Sequence, residues 1–151
     1  MLKRVRTPCI GVCSASLGDN VCRGCKRFSH EVIDWNAYNE EQRRTIAQRL
    51  ESFLQQVVAN KVAVIDADCL KTQMEHQNIR FDEQQDPHCW VFSLLKAGAS
   101  QVVPEAFGLE LQGEWRDQAL VEIKDAIDQD YYALSCAYYD RYIAPGKVQE
   151  G

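Results

Sequence analysis

Four cysteines within the first 25 residues limit what this chain can fold into. Cys9, Cys13, Cys22 and Cys25 form the pattern C-x3-C-x8-C-x2-C. The segment around them, residues 1–28, holds Pro8, Gly11, Gly18 and Gly24 and shows no helical or strand period. Such a stretch cannot bury enough apolar surface to order itself. A cross-link is required, and the cysteines are the candidates. Each close pair can present two thiolates to one centre, and the eight-residue loop can fold back to join the pairs. Four thiolates satisfy a tetrahedral zinc ion or an iron–sulfur cluster. Gly24 frees the backbone beside Cys25, and Gly18 lets the loop turn. The spacing matches neither common ferredoxin run, and taken alone it leans to zinc, which tolerates compact frameworks. Cys22-Arg23-Gly24-Cys25 is also a C-x-x-C, but a thioredoxin-like site needs a preceding apolar strand, which residues 14–21 do not supply.

The compartment follows from the same residues. The chain has 151 residues and seven cysteines, an odd number that a secreted disulfide framework would have to explain. No run of about 18 apolar residues exists, so a membrane-spanning helix is excluded. The N-terminus is basic but lacks the apolar core of a signal peptide. A cytoplasmic protein with reduced thiols is expected. Charge is uneven along the chain. Residues 1–30 carry Lys3, Arg4, Arg6, Arg23, Lys26 and Arg27 against Asp19, while the net charge of the whole is −5. Arg23, Lys26 and Arg27 flank the second cysteine pair, where they lower thiolate pKa values and offset the centre's negative charge. Lys3, Arg4 and Arg6 remain for an anionic contact. Three charges without interleaved aromatics make nucleic acid the lesser expectation beside a protein partner.

Beyond the cysteines, local signals predict a mainly helical α+β chain. Ser29 can cap a short helix over 30–36. Asn39, with Gln42 at the capping-box position, starts a long helix to about residue 59. Ile46, Leu50, Phe53, Leu54, Val57 and Val58 form its apolar stripe. Residues 62–65 read as a short strand. Asp66 or Asp68 caps a helix to about 77, and 79–81 reads as a second strand. Asp86-Pro87 opens a helix over 87–97, with Gly98 as its terminating glycine. Residues 101–111 are ambiguous, because Pro104 argues against a central strand. A helix is expected from 114 to about 127, and the tyrosines from Tyr131 to Tyr142 continue its phase. The expected division is 1–59, an irregular four-cysteine module with a backing helix, and 60–151, a small α+β segment.

The remaining candidates are weaker. Cys69, Cys89 and Cys136 lie in apolar-periodic segments and read as small core residues. His76 and His88 lack ligand spacing, and His30 is at most a neighbour of the centre. Tyrosines at helical spacing are core or interface contacts. No phosphate loop, dinucleotide fingerprint, zinc-protease helix or nucleophile elbow is present. No catalytic constellation is found, so an enzyme is not the favoured reading.

Thr7-Pro8-Cys9, Cys13 and Cys22-Arg23-Gly24-Cys25-Lys26-Arg27 resemble a small bacterial family of unknown function whose members carry the label of predicted iron–sulfur proteins. Glu31, Val32, Trp35, Glu41, Arg43, Ile46 and Leu50 extend the resemblance, which covers residues 7–50. It implies that the four cysteines are the metal ligands, with Trp35 and the long helix as scaffold. Counting it, an iron–sulfur centre is expected ahead of zinc, serving electron transfer, sensing or interaction. The alternative is a structural zinc knuckle that mediates protein or nucleic-acid contacts.

Overall fold

The computed structural model describes residues 7–10, 13–15 and 18–145. Among the described residues the chain is mainly helical, with five α-helices and one two-stranded sheet. Two compact units are present: Met1–Phe53 with Tyr131–Gly151, and Leu54–Asp130. The sequence pattern places a boundary at residue 59. In the structure one division falls within the long helix, and a second falls within the last one.

In the first unit, α1 (Ser29–Asp34) runs into a 3-10 turn, Trp35–Ala37. Ser29 is the first helical residue rather than the cap. Glu31 closes the end instead, its Oε1 accepting the Phe28 N–H at 2.9 Å. The same carboxylate takes two bonds from Arg49, each 2.7 Å, which tie α1 to α2 (Glu40–Ala59). Asn39 caps α2 as its side chain predicts. Asn39 Oδ1 accepts the Gln42 N–H (2.8 Å), and Gln42 Oε1 accepts the Asn39 N–H (2.9 Å).

The second unit holds the sheet. Strand β1 (Val62–Val64) pairs antiparallel with β2 (Leu109–Leu111), Val62 opposite Leu111. Helix α3 (Ala67–His76) is capped by Asp66, whose carboxylate accepts the Cys69 N–H. Helix α4 (Pro87–Gly98) is capped by Asp86 with proline in its first turn, and it buries Cys89, Trp90, Val91, Leu94 and Leu95. Gly98 does not end α4 in a left-handed turn; its φ is −179° and a 3-10 turn follows.

Two further local expectations fail. Residues 79–81 form no strand; the Ile79 N–H instead closes the end of α3 on the Met74 carbonyl. The second strand is Leu109–Leu111. Pro104 is no obstacle to it, because it opens a 3-10 turn, Pro104–Phe107, ahead of the strand. A helix from 114 is also replaced. Gly113–Asp117 is a 3-10 turn, and α5 (Leu120–Tyr138) starts later, then continues as a π turn, Tyr139–Ile143. Among the described residues no helix is long and apolar enough to cross a membrane.

Candidate metal centre

Residues 20–29 form a tight loop that carries the second cysteine pair. Val21 and Phe28 bridge antiparallel, and the Ser29 N–H reaches the Asn20 carbonyl at 2.8 Å. Inside that frame the Cys22 N–H donates to the Arg27 carbonyl, and the Lys26 N–H donates to the Cys22 carbonyl, both at 2.8 Å. Closing so small a loop drives Lys26 into the left-handed region, with φ of 67°.

The loop buries both sulfurs. Cys22 is 1% exposed and Cys25 7%. Burial pushes the Cys22 thiol up, but backbone N–H groups of Cys25, Ser14 and Gly24, with the Cys25 thiol, outweigh it and bring it from 9.0 down to about 6. Burial pushes the Cys25 thiol up, and the Arg27 guanidinium only partly opposes this. Arg27 Nε donates to Cys25 Sγ at 3.2 Å. Ser14 is braced in turn, its Oγ accepting the Arg23 N–H at 2.7 Å.

Two of the three cations flanking the pair are themselves buried, Lys26 to 2% and Arg27 to 3% exposure. Lys26 Nζ folds back to the carbonyls of Arg23 and Gly24 and stands 5.4 Å from the Tyr131 ring centroid. Arg23 is exposed, pairs with Asp19 at 3.3 Å and lies over Tyr132 at 5.0 Å. Val21, Phe28 and Tyr139 form a small core, against which Tyr132, Cys136 and Tyr138 pack. The rings of the last helix therefore cover the cysteine loop. Their helical spacing marked them as contact residues, and nothing in the sequence named the loop as what they contact.

The four cysteines are not equivalent in the structure. Cys22 and Cys25 are brought together. Cys13 is half-buried and Cys9 exposed. Among the described residues no group of three or more histidine, cysteine or acidic side chains is placed to hold a metal ion. The half-site of Cys22 and Cys25 fits a metal–thiolate group by its donor chemistry: two adjacent sulfurs, several N–H groups aimed at them, and buried positive charge alongside.

Other candidates sit elsewhere. Cys89 is buried on α4, and half-buried Cys69 lies 3.5 Å from the Ala106 carbonyl. His88 Nδ1 is 2.6 Å from Asp86 Oδ1, the residue that caps its own helix. His30 is 5.9 Å from Phe28, ring to ring, and its Nδ1 is buried without a hydrogen-bond partner. Lys3, Arg4 and Arg6, to which the sequence assigns an anionic contact, lie outside the described residues.

Residues 7–53 match the model of a family described as a protein of unknown function, DUF1289. No curated protein and no solved structure matches the chain.

Proposed function

We propose that the chain is a metal-binding protein of the cytosol in which Cys9, Cys13, Cys22 and Cys25 hold one iron–sulfur centre. The observation that carries this reading is the Cys22–Cys25 loop. Its N–H donors converge on sulfur, and cations are buried beside it where an apolar core would ordinarily stand. That arrangement favours the ionised sulfur of Cys22, and thiolate is the form that binds metal. Cys9 and Cys13 complete the ligand set by spacing. When bound, an iron–sulfur cluster supplies one-electron transfer. The chain's own part is to hold the thiolates, neutralise their charge through Lys26 and Arg27, and exclude water with Phe28 and the rings of the last helix. The centre would serve electron transfer, sensing or docking of a protein partner.

The test is metal analysis on protein purified without oxygen. A brown protein with bound iron and sulfide supports the reading. One equivalent of zinc in a colourless protein overturns it in favour of a structural zinc knuckle acting as an adaptor. Cys22→Ser and Cys9→Ser are each expected to strip the metal and loosen the loop, since binding and folding are linked. Full metal content in either variant removes that residue from the ligand set.

A further inference from the structure

A guanidinium at 3% exposure needs partners for its charge. Among the described residues Arg27 has no carboxylate within ion-pair distance. What it has is a sulfur and a ring. Its Nε–H donates to Cys25 Sγ at 3.2 Å, and its Cζ stands 4.9 Å from the Trp35 ring centroid. Trp35 is fixed in turn. It is buried, and its carbonyl accepts the Nε–H of Arg43 at 3.0 Å. The Arg43 guanidinium also lies over the Trp35 ring at 5.5 Å and pairs with Glu40 at 3.1 Å. A line of contacts therefore runs from α2 through Arg43, Trp35 and Arg27 to the sulfur of Cys25. Arginine suits this place because a planar guanidinium can rest on a ring while aiming an N–H in its own plane. A lysine ammonium is a point charge with no such preferred direction.

We propose that Arg27 is the positioning residue that tunes the four-cysteine centre: held by Trp35, its Nε–H draws charge from the Cys25 sulfur, favouring the reduced centre and slowing metal loss. The inference rests on reading the four cysteines as ligands. A hydrogen bond to a ligand sulfur stabilises the more negative state of a cluster, so it raises the reduction potential. For any metal the same contact also fixes the ligand sulfur in place, which slows its departure from the metal.

The experiment uses the full chain, loaded anaerobically with iron and sulfide. Two quantities are read: the reduction potential by redox titration, and the rate of iron transfer to a chelator. Arg27→Lys keeps the charge and loses the directed N–H. It is expected to lower the ratio of reduced to oxidised centre about tenfold at fixed applied potential, which is about 59 mV for one electron. Iron release should be about tenfold faster. Trp35→Leu, which touches no thiol, should shift both in the same direction by less. The double variant should go no further than Arg27→Lys alone, because Trp35 acts through Arg27. Native potential and native release in Arg27→Lys overturn the proposal and leave the ligand reading standing. Fully additive shifts in the double variant overturn the clamp by Trp35. If Arg27→Lys does not fold, Arg27→Gln is read against the same criteria. If the chain carries only zinc, the release rate decides by the same tenfold expectation. A chain that binds no metal overturns the ligand reading, and this inference falls with it.

Discussion

Lys26 and Lys61 are both 2% exposed, and they meet burial by different routes. Lys26 gives its ammonium to backbone carbonyls. Lys61 gives its to Asp130 at 2.6 Å and Asn60 at 3.1 Å, with Trp115 at 5.2 Å. Removing one partner of a buried pair strands the other. Asp130→Ala is therefore expected to destabilise the chain by about 2 kcal/mol, less than a fully buried pair would lose because that carboxylate is half-exposed. Lys61→Met, which removes the stranded charge, should cost less, and urea unfolding of both variants checks the order. Cys22 yields a pH expectation for the metal-free chain. Its folded value, about 6, lies below the ordinary 9.0, so its stabilising contribution is complete above that ordinary value and is lost as pH falls through about 6. The native chain and Cys22→Ser should then differ in melting temperature in mild alkali and converge in acid. The cysteine spacing was open to reading at this scale, since it needs only sequence separation. The burial of Lys26 was not, because nothing in a lysine announces a left-handed turn that folds its amine inward.

The elements that sequence located are those whose ends carry their own chemistry. Asn39 with Gln42, Asp66, and Asp86 with Pro87 each satisfy backbone donors within a few residues, so no distant partner is needed. Asp86→Ala should cost about 1 kcal/mol, read as a lower denaturant midpoint with an unchanged slope. The strand at Leu109–Leu111 was hidden because its partner lies far off in sequence at Val62–Val64. The junction between that sheet and α3 depends on Gly108. Its φ is +69°, and its carbonyl accepts the N–H groups of both Ile65 and Asp66. A Cβ there would meet the Asp66 carbonyl oxygen at 2.6 Å. Gly108→Ala is expected to cost about 3 kcal/mol, from left-handed strain and the clash together. A comparable loss in Gly113→Ala, whose φ is also positive but whose Cβ would meet nothing within 4 Å, would show that strain alone suffices.

At the scale of the whole molecule, the cysteine loop and the rings that cover it come from distant parts of the chain. Tyr138 lies 6.0 Å from Phe28 and 5.4 Å from Phe53, centroid to centroid, and Tyr139 lies 5.4 Å from Phe28. Helical phase could show that the tyrosines share a face, but the partner of that face is a tertiary fact. A chain stopped after residue 59 keeps the whole matched segment yet exposes Val21 and Phe28. It is expected to lose cooperative melting even when metal is supplied, which calorimetry would register. The same interleaving sets an order of events during synthesis. Residues 54–130 form a compact unit that the ribosome delivers whole, whereas the cysteine loop, made first, waits for Tyr131 and its successors. At about 5–20 residues per second, the roughly 100 residues between the loop and Tyr131 make that wait about 5–20 s. For that interval the thiols of Cys22 and Cys25 stand uncovered on the nascent chain, and the arrival of the last helix closes over them.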